Sequence, residues 1–552
     1  MIPRATYRLQ FHKDFPFAGA IPLAPYLARL GISHVYASPI LKSRAGSRHG
    51  YDVIDHNEID SELGGEAGFR AMAAALREHG IGIILDIVPN HMAVHRDNLW
   101  WMDVLQNGVA SRFAKYFDID WDALGGKVLC AFLGSPYWEA LSKGDVKILR
   151  DDKLGPTCAA YFDWRFPLRP EDQCSTAEQH FDPQSLHRLL ERQHFRLAWW
   201  RAANDEINWR RFFDIPDLIA LNQDREEVFE ATHEKIFSLY REGLIDGVRV
   251  DHIDGLADPA AYCRRLRGQL NELGKARGDE HPYIVIEKIL GTGETLAEEW
   301  GVDGTTGYDF MNDASALLHD SAGAEPLAEL WHTISGRPTD FAPEEEAARH
   351  EILRRKFESA LSRTARAFFR LGSREGRDLP RAALRRAIAR VIEHLRVYRT
   401  YATGLPQSPA PGAHFEQGGS AAKRGASGID CAAINFIVET MQSDIFGPEG
   451  SDAVRRFNQL SAPVAAKAVE DTAFYRYGRL LSRNDVGFDP GVFSLTPAEF
   501  HQRVLRRAGP FPHALLATAT HDHKRGEDMR ARLAVLSEIP DEWQRNVDHW
   551  FD

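Results

Sequence analysis

Cysteine is scarce and unpatterned. Cys130, Cys158, Cys174, Cys263 and Cys431 make five in 552 residues, an odd number with no pair at CxxC spacing. That excludes a disulfide framework or a thiolate zinc site and fits reduced thiols in a cytoplasmic protein. Long apolar runs are missing too. Nothing approaches the roughly 20 residues of a membrane span, and the N-terminal "MIPRATYRLQFHKDF" lacks the apolar core of a signal peptide. No membrane is expected as a partner. Basic excess is absent: 67 Lys and Arg stand against 79 Asp and Glu, a formal charge of −12. This mild acidity argues against nucleic acid and leaves a neutral ligand open. There is no repeat of solenoid period.

What is present is a globular composition, 44% hydrophobic and 26% charged. The chain is too long for one ordinary core, so it reads as one large domain with insertions or as two to three domains. Short apolar runs alternate with helical patterns. "ATYRLQF" (5–11), "ISHVYASP" (32–39), "IGIILDIVPNHMA" (81–93), "GVRVDHIDGL" (247–256), "YIVIEKIL" (283–290), "TTGYDFM" (305–311) and "HALLATATHD" (513–522) are candidate strands. Between the second and third, "EAGFRAMAAALREHG" sets Phe69, Met72, Ala73 and Leu76 on one helical face and ends on Gly80, a C-cap residue. Alternation of this kind implies parallel pairing with helical crossovers. Apolar runs that turn polar at their C-terminal ends are the pattern of a (β/α) barrel, whose sites lie at those ends. Seven candidate strands are visible, and a closed barrel needs eight.

Two long stretches interrupt the pattern and set the expected boundaries. Residues 1–93 hold barrel strands 1–3, 94–246 an insertion rich in Trp and Phe, and 247–312 strands 4–6. Residues 313–512 form a mostly helical insertion, and 513–552 hold strand 7 and the helix after it. "EILRRKFESALSRTARAFFRL" (351–371) aligns Leu353, Phe357, Leu361 and Ala365 and reads as one structural helix. Residues 404–430, dense in Pro, Gly, Ala and Ser, read as a mobile loop.

The chemistry collects at strand ends. Residues two apart on a strand face the same way, so Arg249 and Asp251 point together. A carboxylate beside a guanidinium stays ionised, as a nucleophile must. Glu287 follows three β-branched residues, a setting that raises a carboxyl pKa and suits a proton donor. Asp522 ends "LLATATHD", and Asp86, Asn90 and His91 sit in "LDIVPNH". One acidic residue after a strand is usually a helix cap or turn residue, and a lone histidine such as His521 is usually a satisfied polar group. Four such clusters in one alternation are a different matter. Two carboxylates with separated pKa values, about 5–5.5 Å apart, are the minimum for retaining glycosidic chemistry.

"DIVPNH", "GVRVDHIDGL", "IVIEKIL" and "TATHDHKRGED" resemble, in order, the four signature regions of the α-amylase clan. Within that clan, "TYRLQFHKDF", "HVYASPILKSRAGSRHGYDV", "TTGYDF", "KAVEDTAFYRY" and "THDHKRGEDMRARL" resemble the maltooligosyltrehalose synthase family from residue 3 to about 535. The resemblance implies an α/β fold, a (β/α)8 TIM-type barrel with large helical insertions. It implies Asp251 as nucleophile, Glu287 as general acid/base and Asp522 as transition-state stabiliser. Tyr51, Asp52, His91, Arg249, His252 and His521 would hold the sugar. The implied reaction detaches the reducing-end glucose of a maltooligosaccharide and rejoins it through an α,α-1,1 link. The substrate class is thus maltooligosaccharide or α-1,4-glucan, and no cofactor is needed. The rival readings are a hydrolase or transferase of the same clan, and an inactive glucan-binding fragment.

The clan often binds calcium near the asparagine matching Asn90. No carboxylate cluster stands beside it in the sequence, so no metal is expected. The family continues past this region through an eighth strand and helix and a C-terminal β domain. Residues 536–552, "LSEIPDEWQRNVDHWFD", do not read as that strand. The expectation is a chain lacking both parts, completed by a further segment or by a second chain.

Overall fold

The computed structural model describes residues 2–173, 181–278, 281–401, 410–443 and 447–551. They fall into two compact units, one formed by Met1–His252 with Arg265–Tyr283, the other by Ile253–Arg264 with Ile284–Asp552.

The first unit is built on four parallel strands in the order β1 (Thr6–Leu9), β2 (His34–Ala37), β3 (Gly82–Ile87) and β4 (Gly247–Val250). Every residue of β3 and β4 is buried, as expected for parallel strands covered on both faces. The register sets Arg8 beside Tyr36 and Asp86 beside Arg249. Gly247 is required by close approach, because a Cβ there would lie 2.1 Å from the Tyr283 carbonyl oxygen. The helix Gly65–Glu78 buries Phe69, Met72, Ala73 and Leu76, the face its period predicts, and Gly80 follows it at φ 69°.

Residues 94–246 carry their own core, in which Trp101 packs edge-on to Phe117 and Trp209 with centroids 5.7 and 5.8 Å away. Most of the aromatic richness of this stretch is spent on that packing. His91–Ala93, expected to continue the third strand, instead joins an antiparallel sheet with Ile215–Ala220.

The second unit contains β5 (Tyr283–Ile286), paired in parallel with the two-residue β6 (Gly304–Thr305), and is otherwise mostly helical. Four expectations are corrected here. The strand read at 305–311 is cut short, because Gly307 adopts φ 92° and Tyr308–Leu317 is a helix. The strand read at 513–522 is absent. Leu515 donates one backbone hydrogen bond to Thr305 O (3.2 Å), and no ladder follows. Gly304 (φ 139°) and Gly307 leave β6 too short and bent to template one.

The loop read at 404–430 is the third. Residues 402–409 lie outside the described residues, but Ala410–Lys423 and Gly428–Gln442 are helices. The helix read through 351–371 breaks at Phe357 into Ala342–Lys356 and Glu358–Arg374, while Leu353, Phe357, Leu361 and Ala365 are all buried as expected. A π-helical turn, Val469–Ala473, ends the helix Pro448–Ala468. Among the described residues, no helix is long and apolar enough to cross a membrane.

Candidate active site

In the first unit side chains from three neighbouring strands and one loop converge on Asp86 of β3. Arg249 Nη1 donates to Asp86 Oδ1 and to Asp251 Oδ1, both at 2.7 Å. Asp86 Oδ2 accepts from Tyr51 Oη (2.6 Å), Arg8 Nη1 (3.3 Å) and Tyr36 Oη (3.4 Å). Two guanidinium groups thus balance two carboxylates out of water, which a buried cluster needs to be tolerated. Arg249 is 1% exposed and Asp251 6%. Burial, and then the Asp86 charge, hold the Tyr51 phenol well above its ordinary pKa, so it stays a donor. The sequence pairing of Arg249 with Asp251 is therefore realised, and Asp86 is what fixes the arginine. Arg8 and Tyr36 escaped the sequence reading, although Arg8 carries the same signal as Arg249, an arginine inside a short strand.

His91 and His252 meet two phenylalanines that sequence reasoning passed over. The His91 ring lies 4.3 Å from Phe212, and His252 lies 4.9 Å from Phe212 and 4.7 Å from Phe213. Burial pushes the His91 pKa well below its ordinary value, with the His252 charge acting the same way, so the ring is neutral near pH 7. His252 (φ 45°) and Phe213 (φ 50°) both hold left-handed backbone. That conformation costs about 1–3 kcal/mol for such residues and recurs at functional sites. Asp52 is turned into its own loop, accepting from Ser47 Oγ.

In the second unit Glu287 directly follows β5 and is half-buried. Its neighbour Lys288 is fully buried against Glu294 (2.9 Å) and Asp254 (3.6 Å), with Nζ 4.9 Å from the Tyr401 ring centroid. Burial lowers the Lys288 pKa, but Asp254 and Glu294 outweigh it and the group stays charged. Tyr401 Oη donates to Asp254, and Arg399 donates to the Asp254 and Leu256 carbonyls (2.8 and 2.6 Å). Asp254 is thus a structural anion serving Lys288.

Asp522 Oδ2 accepts from Tyr308 Oη (2.6 Å), and its N–H donates to Thr520 Oγ1 (3.3 Å). His521 lies 3.5 Å from Asp522 and is exposed. Buried Asp485 accepts the N–H groups of Lys524 (2.9 Å) and Arg525 (3.1 Å), and so pins the segment just beyond Asp522.

Among the described residues, no group of three or more His, Cys, Asp or Glu is arranged to hold a metal ion. The site is one of carboxylates held by cations and phenols.

The class is given by residues 17–282, which match the model of the "Alpha amylase, catalytic domain" family. A Mycobacterium tuberculosis (strain H37Rv) protein bearing the maltooligosyl trehalose synthase name is 37% identical over 557 residues, 99% of this chain and 66% of that protein. The structure of maltooligosyltrehalose synthase from Arthrobacter ramosus matches with a TM-score of 0.86 and 36% identity, over 98% of this chain and 66% of that one. That of a hypothetical maltooligosyl trehalose synthase of Sulfolobus tokodaii matches with 0.79 and 33%, over 100% and 67%. The chain belongs to the maltooligosyltrehalose synthase family and, among the described residues, has a half-barrel of parallel strands from that family's barrel fold, with mostly helical insertions. It spans 66% of the length of the Mycobacterium and Arthrobacter relatives.

Proposed function

We propose that this chain carries the catalytic groups of an intramolecular α-glucan transglycosylase acting on the reducing end of maltooligosaccharides, an isomerase of trehalose biosynthesis. The observation that carries the reading is Arg249 bridging Asp86 and Asp251 at 2.7 Å each. A fixed guanidinium keeps Asp251 ionised and aimed, as attack on an anomeric carbon demands.

The steps balance as follows. An Asp251 carboxylate oxygen bonds to the anomeric carbon at the α-1,4 link next to the reducing glucose. That carbon's bond to the bridging oxygen breaks as the Glu287 carboxyl gives the oxygen its proton. Asp522 favours the cationic transition state. The released glucose turns, and its anomeric hydroxyl attacks the glycosyl-enzyme while the Glu287 carboxylate takes the hydroxyl proton. The ester to Asp251 breaks, and an α,α-1,1 link results. Two displacements retain configuration at the donor carbon. Arg249, Tyr51, His91, His252, Asp52 and His521 are the proposed sugar contacts, and among them Arg249 donates to Asp251. The released glucose must arrive before water, so the site has to exclude solvent. The insertions expected at 94–246 and 313–512 are proposed as the walls for this, and the few, unpatterned cysteines favour a cytoplasmic setting.

The test is incubation with maltopentaose, scoring reducing ends and free glucose separately. Loss of reducing ends without glucose release supports the reading. Glucose release with no loss means a hydrolase, and binding without turnover means a glucan-binding fragment.

A further inference from the structure

Asn90 follows β3 and is 1% exposed, so its amide oxygen needs a buried donor. Arg210 supplies it. Nη1 of this arginine donates to Asn90 Oδ1 (2.8 Å), Nε to Asp118 Oδ2 (2.9 Å) and Nη2 to the Leu221 carbonyl (2.9 Å). One amide oxygen, one carboxylate and one backbone carbonyl, from three separate segments of the first unit, thus converge on a single planar cation. Backbone bonds frame the same place. The Leu221 N–H donates to the Asn90 carbonyl (2.8 Å), the Arg210 N–H to the Asp118 carbonyl (2.9 Å) and the Asp118 N–H to the Ala220 carbonyl (3.1 Å).

These are the oxygen types from which proteins build calcium sites, and they gather at the asparagine beside which the clan often binds calcium. The residues present do not fit a metal. Calcium takes roughly 6–8 oxygens, commonly with several carboxylates, and Asp118 is the one carboxylate in this set. A guanidinium balances it charge for charge, stays protonated, and reaches three acceptors with one rigid fork. The Arg210 side chain is 11% exposed, so it fills the place that an ion would take. The clasp also holds both ends of an aromatic pair described above, since His91 adjoins Asn90, Phe212 lies two residues beyond Arg210, and their rings are 4.3 Å apart.

We propose that the Arg210 guanidinium is a permanent internal cation in a calcium-type oxygen site, and that the site gains calcium affinity only when this guanidinium is removed. The inference does not rest on the proposed activity, and its test reads stability and ion binding alone.

The test is thermal melting of the 552-residue chain in EDTA, in calcium and in magnesium, with calorimetric titration of calcium alongside. Wild type should show no calcium response. Arg210→Ala should melt about 5–10 °C lower in EDTA. It should recover about 3–6 °C in about 10 mM calcium, matching a titrated Kd on the order of 1 mM. Magnesium is smaller and dehydrates reluctantly, so it should restore less than about a third as much. Arg210→Lys keeps a cation in place and should stay unresponsive to calcium. Adding Asp118→Asn to Arg210→Ala removes the carboxylate and should abolish the recovery. If Arg210→Ala does not fold, Arg210→Gln, which keeps bulk and offers an amide oxygen, carries the same expectation. The proposal is overturned if wild type gains stability from calcium and loses that gain in Asp118→Asn, because the oxygens would then hold a metal beside the arginine. It is overturned equally if an uncharged variant at position 210 folds without any calcium response, or responds alike to both ions.

Discussion

Replacing Arg249 by Met tests the central arrangement. The side chain is fully buried, and its Nη1 sits 2.7 Å from both Asp86 and Asp251. Methionine fills similar volume without charge and leaves two buried carboxylates, of which Asp86 keeps Arg8 at 3.3 Å as a cation and Tyr51 and Tyr36 as donors. Each lost attraction is worth about 4 kcal/mol at 4 Å with an effective dielectric of 20. Removing one partner of a buried ion pair costs about 3–5 kcal/mol in measured cases, which for a unit of this size lowers the melting temperature by roughly 10 °C. Arg249→Lys should fall between, because one ammonium cannot bridge two carboxylates as a planar fork does. Adding Asp86→Asn to Arg249→Met removes one stranded charge and should recover about half of the loss. The assays are thermal melting by circular dichroism and the rate of maltopentaose conversion. Without the arginine Asp251 loses a charge-assisted donor at 2.7 Å that fixes it, so kcat/KM should fall by about tenfold or more. Melting within about 2 °C of wild type, together with unchanged kcat/KM, would refute the claim that Arg249 holds these carboxylates in place.

Three further outcomes are expected. Asp251→Ala, Glu287→Ala and Asp522→Ala should each abolish conversion, and double variants should lose little more than singles because the groups act together; near-normal turnover in any one removes that residue from its role. Glu470, which accepts from Tyr398 Oη and the Gly487 N–H and lies near Asp471 and Lys524, has its pKa raised by burial from 4.5 to about 8. The neutral folded-state form stabilises fully below about pH 4.5, and this is lost as pH rises through about 8. Denaturant melts should therefore show Glu470→Gln gaining on wild type between those limits, by on the order of 5 kcal/mol at most, and parallel pH profiles would contradict this. EDTA should shift the melting temperature by less than about 1 °C; a larger drop restored by calcium would reveal a bound ion.

What the sequence disclosed follows the range of the interactions. Arg249 and Asp251 are two residues apart, and strand period alone aligns them. The helix Gly65–Glu78 showed its buried face for the same local reason. Tyr401 and Asp254 lie 147 residues apart, and no local pattern announces that contact or the burial of Lys288. The Pro and Gly of 410–423 argue against a helix by propensity, yet Phe415 and Ala422 are buried there, and a Cβ on Gly419 would lie 2.8 Å from Val438 Cγ2. Tertiary packing overrides propensity at that point, and the glycine lets two helices approach. The bend at β6 was hidden because "TTGYDFM" reads equally as a strand or as the start of a helix until Gly307 takes φ 92°.

The two-residue length of β6 bears on how Asp522 is held. The segment 513–519, which leads to this carboxylate, has one backbone hydrogen bond to β6, from Leu515, so its local opening free energy is small and its amides should exchange with solvent early. Further holds come where Arg530 donates to the Thr518 carbonyl, where Tyr308 grips Asp522, and where Asp485 grips Lys524 and Arg525. Sequence drift should therefore be cheap along 513–519 and dear at Tyr308 and Asp485, residues of the helix and loop that support a carboxylate they do not carry.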